Sequence, residues 1–281
     1  MKIGFIGAGK VGFSLGKYFS VNGLDLSGYY SRNHSSAVEA AEFTGSNAYT
    51  TPEELIHDST TIFITVPDGT ITEIFNEIKG CDLTVKLICH CSGAMTAAEA
   101  FPDIASTGAK GLSIHPLFPV SSKYDSYKEL SNAFFCLEGE CADEWQELLT
   151  SIGNNVRIID GNVKVRYHTA CAISSNLVCA LTAESIALLG KCGFTEEEAL
   201  KALRPLAMSN MSKIFEAGLI NALTGPVERN DISTVSKHLR CFDTEDEKQL
   251  YTAVSNKLIE VASLKHPETD YSVMRKLLAD K

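Results

Sequence analysis

Hydrophobic and polar positions fall into two alternating registers over the first half of the chain. Lys2 to Ile6 is a short apolar run, and Val11, Leu15, Tyr18 and Phe19 then recur at helical spacing. A strand followed by an amphipathic helix to about Val21 is expected. A second strand is expected over about Leu24 to Tyr30. Thr51-Pro52-Glu53-Glu54 opens a helix, with Thr51 capping and Pro52 in the first turn. Thr61 to Val66 is a β-rich run ending in Pro67-Asp68-Gly69, and Lys86 to Cys91 is another, ending in Ser92-Gly93. Gly111 to Ile114 leads into His115-Pro116-Leu117-Phe118-Pro119, and Phe134 to Leu137 and Val156 to Ile159 complete the strands. Strands alternating with helices predict an α/β fold with a doubly wound parallel sheet. Its ligand crevice lies beyond the strand carboxyl ends, where Pro67, Ser92 and His115 would stand.

The alternation stops near Asp160-Gly161-Asn162, which divides the chain into residues 1–162 and an all-helical domain, 163–281. Val163 to Gly190 is long, apolar and free of turn signals, predicting one helix of about 40 Å. Gly190 or Gly193 would close it. Thr195 and Glu198 form a capping box for the next helix, which Pro205 should kink or restart. Gly225-Pro226 breaks the pattern, and Leu250, Tyr251, Val254, Leu258 and Val261 outline a later helix. The first long helix carries Lys164, His168, Ser175 and Asn176 within its apolar sequence. With His168 at zero, Lys164 falls near about −40°, Ser175 near about −20° and Asn176 near about +80°. Buried unpaired, such groups cost roughly 1–3 kcal/mol each, so they need partners or a wet cleft.

Between the first strand and helix stands Gly7-Ala8-Gly9-Lys10-Val11-Gly12. Gly7 permits the tight turn, Gly9 lets backbone approach a pyrophosphate, and Gly12 lets helix and strand pack closely. The helix N-terminus offers free N–H groups and positive dipole to the phosphates. Val66, Pro67, Asp68, Ser92 and Gly93, at the later strand ends, complete the expected dinucleotide contacts. The second strand ends in Ser31-Arg32-Asn33, where an NAD site places an acidic residue for the ribose hydroxyl. Hydroxyls and a guanidinium there suit a 2′-phosphate, so NADP(H) is the expected cofactor.

Composition narrows the partners. The 281 residues are 44% hydrophobic and 21% charged, an ordinary globular mixture. Twenty-five basic against 35 acidic residues give a formal charge of −10, unlike a phosphate-backbone binder, so no nucleic-acid partner is expected. No uninterrupted apolar run exceeds five residues, so no membrane partner is expected either. The amino-terminal stretch turns glycine-rich before a signal-peptide core could form, which suggests the cytoplasm. Nine cysteines read as reduced, buried thiols. Cys89-His90-Cys91 has no second pair at zinc-like spacing, and no metal is expected.

The glycine fingerprint, the Ser31-Arg32 turn, Val66-Pro67-Asp68 and the helical second half resemble NADP-dependent reductases of the pyrroline-5-carboxylate and ketopantoate reductase type. More narrowly, the chain resembles the Rossmann-like oxidoreductases called NADP oxidoreductase, coenzyme-dependent. That likeness rests on Ile114-His115-Pro116-Leu117-Phe118, Tyr167-His168 with Ser175-Asn176, and Gly225 to Asp231. It implies an all-α C-terminal domain like that of 6-phosphogluconate dehydrogenase, and a homodimer formed through it. Ketopantoate reductases carry a lysine near the start of this helix and an asparagine eight residues on. His168 stands at the lysine position and Asn176 at the asparagine, with Lys164 one turn earlier. Ser233 and Thr234 loosely match hydroxyl residues of the pyrroline-carboxylate enzymes. His115-Pro116-Leu117-Phe118 is similar to a strand end of prephenate dehydrogenases, whose histidine contacts the reacting hydroxyl.

Reducing C=O or C=N puts negative charge on the heteroatom, which calls for a nearby acid, and histidine suits that role. His168 and His115 are the candidate proton donors, with Asn176, Ser175 and Lys164 beside them. His34, His57, His238 and His266 read as surface residues, and Arg229 with Asp231 as an internal ion pair ahead of a site for a substrate carboxylate. The expected function is NADP-dependent hydride transfer to a small keto or imino acid. Two other readings stay open: oxidation of a prephenate-like or 3-hydroxyacid substrate, and a silent NADP-binding sensor.

Overall fold

The computed structural model describes residues Met1–Ala279, which form two compact units, Met1–Ser175 and the residues from Asn176 onward. In the first unit the order is β1 (Lys2–Ile6), α1 (Lys10–Val21), β2 (Asp25–Tyr30), α2 (His34–Thr44), β3 (Asn47–Ala48), α3 (Pro52–Asp58) and β4 (Thr61–Ile64). Then come α4 (Asp68–Ile78), β5 (Leu87–His90), α5 (Ala97–Ala100), β6 (Lys110–Leu117), β7 (Phe134–Gly139), α6 (Ala142–Ser151), β8 (Asn155–Ile158) and α7 (Lys164–Ser174). The strands make one eight-stranded sheet in the order β3-β2-β1-β4-β5-β6-β7-β8. Strand order reverses between β1 and β4, which creates the crevice of a doubly wound sheet.

The sheet departs from an all-parallel arrangement at one place. β6 and β7 pair antiparallel, from Leu112↔Gly139 to Leu117↔Phe134. The segment joining them holds only a 3-10 stretch, Ser126–Asn132, and supplies no α-helical crossover to carry the chain back for parallel pairing. β6 also runs through His115 and Pro116 to Leu117, so these residues lie in a strand rather than in the loop expected after Ile114.

Helices cover both faces. Phe13, Leu15 and Phe19 of α1, Ala37 to Ala41 of α2, and Trp145 and Leu149 of α6 pack with Phe5, Phe63 and Ile114 on one face. Leu55 of α3, Ile71 to Ile78 of α4 and Ala97 of α5 pack with Ile62, Ile64 and Ile88 on the other. Side chains alternate along a strand. Cys89, Leu112, Ile114, Phe135 and Leu137 therefore face the first core, and His90, Ser113, His115, Cys136 and Glu138 face the opposite side.

The second unit contains α8 (Asn176–Lys191), α9 (Glu196–Ala217), α10 (Leu219–Ala222), α11 (Ile232–Leu239), α12 (Glu245–Lys265) and α13 (Ser272–Ala279). Val227, Val235, Ile259, Ala262, Tyr271, Met274 and Leu278 are its core. Thr195 and Glu198 form the expected capping box. α9 continues through Pro205 without restarting. The single helix expected over 163–190 is broken: Ser175, at φ −127° and ψ −75°, separates α7 from α8. The 100° count from His168 therefore does not carry to Ser175 and Asn176. The segment Gly161–Lys191 is long and apolar enough to cross a membrane by length and composition, its most apolar 18-residue window having a mean hydropathy of 1.6. Uninterrupted apolar runs do not reveal this, because single polar residues punctuate the segment.

Candidate functional site

The glycine turn builds a cleft of about 210 Å3, lined by Gly7 to Gly9, Tyr30 to Arg32, Ser36 and Thr65 to Pro67, among others. Gly7 sits at φ +108°, a backbone region that side chains disfavour. A Cβ on Gly12 would lie 2.5 Å from the Gly7 carbonyl and 2.6 Å from Thr65 Oγ1. Thr65 Oγ1 donates to that same carbonyl at 2.7 Å, tying the β1 turn to the end of β4. At Gly9 the situation differs: an added Cβ would meet only Thr65 O, at 3.9 Å. Its bareness is not required by the protein's own packing, and the open space suits a ligand. Gly9 caps α1 without a side-chain hydrogen bond, and the first turn holds no acidic residue. The unmet N–H groups and dipole favour an anion there. These features fit a dinucleotide, with Ala8, Lys10 and Val11 completing the turn.

At the cleft's other end, Ser31 and Arg32 follow β2, and the Arg32 side chain is exposed without an ion pair among the described residues. Asn33 Oδ1 accepts from Ser35 N at 3.2 Å and caps α2. Ser36 joins the lining. It was not among the expected residues, although it stands within the first turn of the helix after Arg32. Two larger hollows, of about 590 and 420 Å3, lie elsewhere, one beside Glu53 to Asp58 and one beside Met1 and Trp145.

Farther along the carboxyl edge, β5, β6 and α7 bring polar side chains together. His115 Nδ1 and Tyr167 Oη share a 2.7 Å hydrogen bond. The His115 and His168 rings meet edge to face at 6.2 Å. Gly93 lies beneath both: a Cβ there would be 2.5 Å from His168 Cδ2 and 2.9 Å from His115 Nε2. Burial, then the neighbouring His168 and Lys164, push the His115 pKa down to about 4. Its imidazole is therefore neutral near pH 7. Burial also raises the Tyr167 phenol.

Lys164 is only 2% exposed, and of the two expected outcomes, partners or a wet cleft, it meets the first. Its Nζ donates to Ser113 Oγ and lies 3.5 Å from Glu138 Oε2. Burial lowers its pKa, with the Glu138 charge opposing. Glu138 Oε2 also accepts the Ala97 amide at 2.8 Å, at the start of α5. Ser113 Oγ donates to the Ser92 carbonyl at 3.3 Å, and Ser92 Oγ donates to Asp68 Oδ2 at 2.6 Å. Ser113, Glu138, His90 and Tyr167 were not assigned roles from the sequence. The alternation places Ser113 beside His115, but only the antiparallel register sets Glu138 opposite it.

Ser175 Oγ donates to the Cys171 carbonyl at 2.7 Å, and Asn176 opens α8 in the second unit. Asp231 caps α11, accepting from Thr234 N at 3.0 Å and Thr234 Oγ1 at 2.6 Å. No Arg229–Asp231 ion pair forms among the described residues, although the Arg229 charge helps hold the Asp231 carboxyl below its ordinary value. His238 and His266, expected on the surface, are half-buried on Tyr251 and Glu228 at 2.8 and 2.7 Å.

Comparison with known proteins follows the same division. Protein TM1727 of Thermotoga maritima is 26% identical, with a TM-score of 0.75 over 94% of this chain and 99% of that one. A Bacteroides fragilis protein named as a candidate NADP oxidoreductase is 21% identical, with a TM-score of 0.68 over 92% and 98%. An imine reductase from Myxococcus stipitatus in complex with NADP+ is 16% identical, with a TM-score of 0.64 over 99% and 100%. No curated protein sequence matches. Residues 1–116 match a Rossmann-like domain and residues 133–258 match a domain of unknown function, DUF2520. The chain thus matches a Rossmann-like domain in its first part and the DUF2520 model in its second.

Proposed function

We propose that this protein is an NADP-dependent oxidoreductase that reduces the C=N or C=O group of a small keto or imino acid. One observation carries the reading: the glycine-turn cleft and the His115–Tyr167–His168 cluster share the carboxyl edge of a single sheet. Gly7 to Gly12 would hold the pyrophosphate on α1, and Ser31, Arg32 and Ser36 would take the 2′-phosphate. NADPH, when bound, supplies the hydride. The fold shared with an NADP-bound imine reductase supports this cofactor and reaction class. A Bacillus cereus imine reductase, 15% identical with a TM-score of 0.55, shares the fold as well.

His168 is the proposed general acid, donating a proton to the heteroatom as it gains charge. His115 stays neutral and paired with Tyr167, so it orients rather than supplies the imidazolium proton. Lys164, sealed on Ser113 and Glu138, fixes the start of α7 and so sets His168 one turn later. We place the protein in the cytoplasm and propose that it acts as a homodimer. No residue of α8 is buried, and α9 exposes Leu206, Met208 and Phe215, apolar surface that a second copy would cover.

The decisive experiment follows NADPH consumption against cyclic imines, 2-keto acids and short aldehydes. Turnover with an imine or keto acid, and weaker activity with NADH, is expected. NADPH binding without oxidation of any member would replace the enzyme with a sensor. Light scattering should give a dimer that Phe215→Glu dissociates; a wild-type monomer would end that part.

A further inference from the structure

His90 has no part in the chemistry proposed above, yet it is fully buried at the end of β5. Its Nδ1 accepts the Ser92 backbone N–H at 3.1 Å. A backbone amide can only donate, so Nδ1 carries no proton and the neutral ring holds its proton on Nε2. Burial, reinforced by Lys164, pushes the His90 pKa down to about 3, which preserves that state at neutral pH. Nε2 is buried without a well-formed hydrogen bond, the Thr96 backbone acting on the ring only weakly, and the ring meets Phe101 edge to face at 5.4 Å. A leucine or phenylalanine would fill such a slot without stranding a buried donor. Packing alone does not call for imidazole here; the acceptor it presents to Ser92 does.

Ser92 is held at every polar group. Its N–H goes to His90, its Oγ to Asp68 at 2.6 Å, and its carbonyl receives Ser113 Oγ at 3.3 Å. The next residue is Gly93, against which the His115 and His168 rings both rest. A rotation of the Ser92–Gly93 peptide would move the support of both rings together.

We propose that His90 is a positioning residue: by accepting the Ser92 amide it fixes the floor that sets His115 and His168. The inference rests on the reductase reading for its catalytic consequence, but not for its structural one. The test compares His90→Asn, whose Oδ1 can stand where Nδ1 stands, with His90→Leu and the more ring-like His90→Phe. Histidine side-chain NMR, read without substrate, should show shifted His115 and His168 signals in the Leu and Phe variants and near-native signals in Asn. Thermal stability and NADPH affinity, measured in parallel, should leave affinity unchanged in all three. With an active substrate, kcat should fall on the order of 10²-fold in His90→Leu, with KM for NADPH unchanged, and recover in Asn. Native His115 and His168 signals in a folded Leu or Phe variant would overturn the proposal. So would a folded Asn variant that loses those signals. A wild-type chain that never oxidises NADPH would defeat the reductase reading while the NMR comparison still decided the role of His90.

Discussion

The cofactor cleft and the histidine cluster occupy one sheet edge, but they are built in opposite ways. At the cleft the protein withholds side chains: Gly7, Gly9 and Gly12 leave backbone amides open, and Arg32 stands unpaired among the described residues. At the cluster side chains engage one another. Lys164, Ser113, Glu138, Ser92 and Asp68 form a continuous polar network with His90 beside it. An open anion site gains its binding energy when the ligand arrives. A closed network has already committed its polar groups to one another, so its value is the geometry it imposes on His115 and His168.

Substitutions should separate these two designs. The largest effect is expected from His168→Ala, lowering kcat by about 10²–10⁴-fold while leaving NADPH affinity unchanged. Steady-state kinetics and a binding titration check this; undiminished turnover would shift the acid elsewhere. Lys164→Met should strand the Glu138 carboxylate in a buried site, costing about 3–5 kcal/mol in denaturant unfolding. Adding Glu138→Gln should restore most of it, and an additive double variant would deny the coupling.

Acid offers a third comparison. The folded-state His115 pKa, about 4, lies below its ordinary value of 6.5, so the native state resists taking up the proton. The unfolded chain binds more protons in this window, so stability is fully present above about pH 6.5 and is lost as pH falls toward about 4. The loss should be on the order of a few kcal/mol. His115→Gln should flatten that part of the stability curve relative to wild type, as urea unfolding across the window would reveal.

The cleft should answer to smaller steps. Gly9→Val should keep wild-type thermal stability, since its Cβ has room, yet weaken NADPH by about 10–100-fold through lost phosphate contacts. A normal NADPH affinity in that variant would move the pyrophosphate elsewhere. Arg32→Ala should weaken NADPH by about tenfold and leave NADH untouched. Equal losses with both coenzymes would remove the 2′-phosphate from its proposed place.

The glycine turn was legible because its chemistry is local. Three glycines at fixed spacing between an apolar run and a helical pattern dictate a strand, a turn and an open helix terminus. The Thr51 and Thr195 caps were legible for the same reason, as each is settled within four residues. The long helix was less so. Its apolar composition concealed the break at Ser175, which no proline or glycine announces, and the polar stripe drawn along it assumed one unbroken helix.

What the sequence alone determined, then, was the order of the elements, the nucleotide turn and the presence of histidines at two strand-and-helix positions. Tertiary structure decided which of them meet. Antiparallel pairing of β7 set Glu138 opposite Ser113, and docking of α7 buried Lys164 between them. Lys164 reaches Ser113 across 51 positions of chain and Glu138 across 26. Periodicity reports which face of its own element a residue occupies. It carries no information about the register of a neighbouring strand, and at this sheet edge that register makes the site.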